Sequence, residues 1–161
     1  MTQWRRLLVS IGDPAPAFDL PAAPSGKAKL ADYKGKWLVL YFYPKDDTSG
    51  CTKQAIAFTE HHKDFEKAGA KVLGVSKDSI ARHERFREKH ELGIDLASDE
   101  DGQMLEAYGV WVEKKMYGRT FMGIERSTLL IDPKGKVHEI WRKVKVAGHI
   151  EAVLAALNEA T

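Results

Sequence analysis

A single cysteine, Cys51, is the chain's whole stock of thiol, so no disulfide forms within it. Small secreted modules framed by cystines are thereby excluded. No apolar run approaches the ~20 residues of a membrane span. Neither sign of charge dominates: 25 Lys and Arg stand against 23 Asp and Glu, a formal +2, too small and too scattered for a nucleic-acid footprint. There is no internal repeat, no low-complexity tract and no linker long enough to divide the chain into separate domains. Residues 1–10, MTQWRRLLVS, carry two arginines as an export signal does. Only Leu7, Leu8, Val9 and Ile11 follow before Gly12, Asp13 and Pro14, short of the roughly 7–15-residue apolar core such a signal needs. The expected location is therefore the cytoplasm, with the thiol reduced at rest.

What is present is an ordinary globular balance, 43% hydrophobic and 30% charged over 161 residues, which predicts one domain spanning 1–161. Residues 13–26 form an extended entry segment, with Phe18 and Leu20 alternating as in a short strand and a second strand near Lys29 and Leu30. Residues 37–43, WLVLYFY, are too short for a buried helix and rich in β-formers, and they predict a central strand buried on both faces. PKDDTSG (44–50) is a loop, and a helix is predicted over 51–67, with Gly69 just past its end. KVLGVS (71–76) closes a right-handed β-α-β unit. A helix capped by Ser79 runs to His90, a weak strand covers 95–97 and a short helix 103–108. STLLID (127–132) and VHEIWR (137–142) form a hairpin, and Ile150, Val153, Leu154 and Leu157 mark a last helix. This order predicts an α/β, thioredoxin-like three-layer sandwich with a mixed central sheet and an N-terminal extension.

Cys51 opens a helix at the carboxyl end of the central strand, where ligands bind in open α/β sheets. The unpaired amides and partial positive charge of a helix start favour a thiolate. A nearby arginine lowers a thiol by a further 1–3 pKa units, on the order needed to ionise it at neutral pH. A lone cysteine is more often a small buried hydrophobe, so its neighbours decide.

Those neighbours carry a resemblance. Pro44-Lys-Asp-Asp-Thr48-Ser-Gly-Cys51 has the spacing Pro-x-x-x-Thr-x-x-Cys and resembles the active-site signature of the peroxiredoxins. YFYPKDDTSGCT, KAGAKVLGVSKDS, MYGRTFMGIERSTLLIDPKGKV and WRKVKVAGH are similar, in the same order, to the bacterioferritin comigratory protein or peroxiredoxin Q branch. The resemblance implies that Cys51 is the peroxidatic cysteine and that the Thr48 hydroxyl bonds thiolate and peroxide. It implies that Pro44 shields the sulfur from water and that Arg126 approaches the thiolate from a neighbouring strand. It implies a hydroperoxide substrate, an external thiol reductant of thioredoxin, glutaredoxin or glutathione type, a monomer, and neither cofactor nor metal.

The chain departs from that family at the positions of a second, resolving cysteine, which are Ile56 and Arg87 here, and Ser49 stands where a proline is common. A one-cysteine peroxidase is the expectation; the alternative is a redox sensor or holdase-like binding protein in which oxidation of Cys51 is only a signal. A disulfide oxidoreductase would need C-x-x-C, and Thr48 stands where its partner cysteine would be. The six histidines show no metal-ligand spacing, and RHERFREK (82–89) reads as a solvated helix face.

Overall fold

In the computed structural model, which describes residues 9–161, the predicted central strand is β3 (Trp37–Phe42). It follows β1 (Asp19–Ala23) and β2 (Gly26–Lys29), an antiparallel pair, and one 3-10 turn at Leu30–Tyr33. After β3 come α1 (Ser49–Glu60), α2 (His62–Lys67), β4 (Ala70–Ser76), α3 (Ile80–His90), β5 (Asp95–Ser98) and α4 (Gln103–Ala107). The chain continues through β6 (Trp111–Met116), β7 (Arg119–Ile124), β8 (Ser127–Ile131), β9 (Val137–Trp141) and α5 (His149–Ala160). Most of the start of the chain, compared above with an export signal and found too short in apolar residues, lies outside the described residues.

Seven strands form one sheet in the order β2-β1-β5-β4-β3-β8-β9. β5, β4 and β3 run parallel, and β8 joins β3 antiparallel, so the sheet is mixed as the element order implied. Side chains alternate across a strand, and here both faces are dry. Leu38, Leu40 and Phe42 pack with Met104 and Leu105 of α4. Val39, Tyr41 and Tyr43 pack with Cys51, Phe58, Phe65, Phe86 and Leu157. Helices thus cover both faces, which makes β3, with its neighbour β8, among the best-shielded elements and the fixed point from which the loop 44–48 departs. Among the described residues no helix is long and apolar enough to cross a membrane.

Two expectations need correction. The helix expected over 51–67 begins earlier, at Ser49, and breaks at His61, whose φ −97 and ψ 8 leave the helical basin. Phe58, His62 and Phe65 keep a helical spacing across that break, so periodicity could not show it. Residues 111–124, for which the sequence pattern predicts no element, form a two-stranded ribbon apart from the main sheet. Its turn holds Tyr117 at φ 52 and Gly118 at φ 74, the paired positive φ of a tight hairpin.

Candidate active site

The site begins with β3, which delivers the loop 44–48 to the N-terminus of α1. Thr48 is the N-cap residue, with extended φ −94 and ψ 159, so Cys51 lies in the first turn among amides that have no partner within the helix. Its side chain turns into the core beside Tyr41, and the residue is only 2% exposed. The Tyr41 ring stacks on Phe58 with centroids 4.6 Å apart. Burial first, then the negative charge of Cys51, push the Tyr41 hydroxyl well above its ordinary pKa. That ring lies flat over Gly74 of β4, where a Cβ would stand 2.8 Å from Tyr41 Cζ.

Arg126 arrives from the junction of β7 and β8. Its Nη2 donates to Cys51 Sγ at 3.4 Å, and its Nη1 donates to Gln54 Oε1 at 2.6 Å. A Cβ on Gly50 would stand 3.2 Å from Nη2, so a glycine there gives the guanidinium room. The guanidinium is thus aimed at a buried sulfur, where it can meet negative charge that develops during reaction. Gln54 is fully buried, and its Nε2 has no hydrogen-bond partner among the described residues. Sequence reasoning missed Gln54. The signal was its position three residues after Cys51, which places both on one helix face.

The other two predicted residues sit differently. Thr48 is exposed, and its hydroxyl donates to the Lys45 carbonyl at 2.8 Å, so that proton is committed to the loop. Pro44 is exposed at the end of the central strand. Lys114 of β6 is half-buried; burial and then the Arg126 charge lower its pKa.

The histidines have ordinary partners with one exception. His61 meets Asp64 and Glu151, His62 meets Glu66, and His90 meets Asp47. His149 bonds Thr128 Oγ1 at 2.8 Å and is held near pKa 4, chiefly by burial and then by the Arg126 charge. His83 is the exception: the stretch 82–89 is not simply a solvated face, because His83 and Phe86 turn inward and His83 is wholly buried against Asp46.

A buried cysteine at the first turn of the helix after the central strand of a mixed sheet, with an arginine on its sulfur and helices on both faces, defines a thioredoxin-fold protein with a one-cysteine site. The chain belongs to the AhpC/TSA family, whose model matches residues 11–140. Peroxiredoxin Bcp of Xanthomonas campestris is 51% identical over 147 residues, covering 90% of this chain and 92% of that protein. The peroxiredoxin Q of Xylella fastidiosa, solved as a cysteine variant, superposes with a TM-score of 0.90 at 41% identity, over 96% of this chain and 98% of that one. Bacterioferritin comigratory protein of Xanthomonas campestris, solved as trapped intermediate and ligand complexes bearing on alkyl peroxide reduction, gives a TM-score of 0.85 at 47% identity, over 89% of this chain and 91% of that one. Xanthomonas campestris peroxiredoxin Q has also been solved with either of two cysteines changed to serine. The spacing of those two, laid on this chain from Cys51, ends at Arg87.

Proposed function

We propose that this chain is a thiol-dependent peroxidase that reduces hydrogen peroxide and organic hydroperoxides through Cys51 and is recycled by an external thiol. The observation that carries the reading is the Arg126 contact on a buried sulfur at a helix N-terminus, in a chain of the AhpC/TSA family. The thiolate attacks the hydroxyl-bearing oxygen of the hydroperoxide. An S–O bond forms as the O–O bond breaks, and the departing hydroxide or alkoxide takes up a proton. Cys51 is left as a sulfenic acid, the first rung of thiol oxidation. Charge grows on the departing oxygen, and donors fixed beforehand lower that barrier. Arg126 is the donor on the sulfur, and the unpaired first amides of α1 add the partial positive charge of a helix start. Gln54 steadies the guanidinium; Thr48, by the family resemblance, bonds thiolate and peroxide once its hydroxyl leaves the Lys45 carbonyl, and Pro44 shields the sulfur from water.

Reduction requires two outside thiols. The first forms a mixed disulfide with Cys51 and releases water; the second restores the Cys51 thiol and leaves as the oxidised disulfide. Arg87 supplies no sulfur. Its Nε and Nη2 donate to the carbonyls of Ile94 and Leu92 at 2.9 and 3.1 Å, tying down the turn between α3 and β5. Because Cys51 is 2% exposed, every outside thiol reaches the sulfur only when the loop opens, and a small one such as glutathione needs less opening than a thioredoxin- or glutaredoxin-type protein. The whole chain is read as one such domain, monomeric and cytoplasmic.

Intact-mass spectrometry after one equivalent of hydrogen peroxide, with a sulfenic-acid trap, tests the first half-reaction, and stopped-flow tryptophan fluorescence gives its rate. A stoichiometric adduct that forms far faster than on a free thiol, and is absent in Cys51→Ser, is the expected result. A rate no greater than a free cysteine's would end the peroxidase reading. Fast oxidation with no turnover by any thiol donor would favour the sensor, which the lack of a second cysteine makes a real competitor.

A further inference from the structure

The loop 44–48 that leads to Cys51 is tied to the molecule by a buried polar cluster for which the reaction as described has no use. Asp46, in the middle of that loop, is 2% exposed and His83, from α3, is 0% exposed. His83 Nδ1 meets Asp46 Oδ2 at 2.6 Å, and its Nε2 meets the Ala97 carbonyl of β5 at 3.0 Å. A carbonyl only accepts, so the ring is held by the sheet on one side while it holds the loop on the other. Asp46 Oδ1 accepts the Tyr43 hydroxyl at 2.5 Å, and burial keeps that phenol protonated by raising its pKa well above the ordinary value. The Asp46 amide donates to Asp78 Oδ2 at 2.8 Å, and Asp78 is itself held by Ser76 Oγ at 2.7 Å and Arg82 Nε at 3.0 Å. A second tie follows at once: Asp47, at φ 60, receives Lys89 at 2.7 Å and His90 at 2.9 Å.

Buried polar pairs are modest sources of net stability, because desolvation offsets much of their attraction, but leaving one partner unsatisfied is costly. Such a pair can specify one geometry. Only Asp47, Thr48, Ser49 and Gly50 separate Asp46 from Cys51, so where Asp46 is fixed decides where α1 begins. That start sets the sulfur against Arg126, which comes from the other side of the sheet's centre. We infer that His83 is a positioning residue: through Asp46 it fixes the start of α1 and thereby the placement of Cys51 against Arg126. The inference rests on the peroxidase reading for its consequence in rate, but its geometric content does not.

The full chain is used for the test, with His83→Ala, Asp46→Asn and the double variant compared at a temperature well below melting. Two quantities are read: the titration of the Cys51 thiolate by ultraviolet absorbance, which needs no peroxide, and the rate of oxidation by hydrogen peroxide. Each single variant is expected to raise the thiol's midpoint and to slow oxidation about tenfold or more, since small misplacement of reacting groups has costs of that order. The double variant is expected to be no worse than the slower single one, because both break the same tie. Variants that fold and keep both wild-type values while only the melting temperature falls would overturn the inference. So would effects of the two changes that simply multiply. If His83→Ala does not fold, His83→Gln takes its place under the same criteria. A wild-type chain that peroxide does not oxidise quickly would end the peroxidase reading, while the thiolate titration would still decide the placement.

Discussion

The two groups that meet at the sulfur come from unlike regions of the molecule. Cys51 depends on β3, whose residues from Leu38 onward are all buried, with helices on one side and α4 and the entry segment on the other. Arg126 follows the ribbon β6–β7, where Met116, Phe121 and Met122 lie open and Tyr117 is 96% exposed. In the first region every position is fixed by packing, and adding one methyl group must displace something. In the second, Trp111 and Ile124 anchor the base of the ribbon to the core, and beyond them backbone pairing holds the strands while the outer side chains are free to vary. The contrast locates the catalytic geometry. Arg126 is held less by the ribbon before it than by what it touches, with Gln54 at 2.6 Å and the backbone of Val144, whose amide donates to the Arg126 carbonyl at 2.9 Å.

The comparison is broken most severely by removing the contact itself. Arg126→Ala should slow oxidation of Cys51 about 10²-fold, the usual cost of losing one preorganised donor, and raise the thiol's midpoint. Stopped-flow rates and thiolate titration together check this, and unchanged values in both would take Arg126 out of the site. Next comes the packed side: Gly74→Ala forces a Cβ to 2.8 Å from Tyr41 Cζ, and should cost about 1–3 kcal/mol in urea unfolding. An equally stable variant would mean the β3 face can yield.

A pH series sharpens the picture from within the same core. The folded chain holds His149 near pKa 4 against an ordinary 6.5, by burial first and the Arg126 charge second. The unfolded chain therefore takes the proton first as pH falls. The contribution is complete above pH 6.5 and is lost on the way down to about 4, amounting to about 2 kcal/mol after allowance for partial solvation. The difference between wild type and His149→Asn across that window is the measurement, and a flat difference would contradict the cause. The smallest effect belongs to the ribbon: Tyr117→Ser should change stability by no more than about 0.5 kcal/mol. A larger loss in urea unfolding would show that the ribbon packs on something in solution.

What could be read from the sequence follows the same division. β3 was legible because seven apolar letters admit few other structures, and the β-α-β unit followed from it. The ribbon was not, because WVEKKM and RTFMGI fully bury only Ile124, and burial is what a periodicity records. The break at His61 was hidden because apolar spacing continued across it. In the site, Cys51 was marked by its place at a helix start, whereas Arg126 rested on family resemblance, since no local pattern joins residues 75 apart. Asp46 and His83 were missed for the same reason, at a separation of 37. Thr48 was expected against the sulfur, yet its proton goes to the nearer Lys45 carbonyl, a local bond of the kind that short polar side chains favour in turns.

Arg87 bears on any attempt to give this chain a second thiol. A cysteine placed there would supply sulfur and at the same moment strip two carbonyls, of Leu92 and Ile94, of their donor. The exchange is simple in chemistry but not in folding: an internal resolving thiol at this position also needs another group to close the turn between α3 and β5.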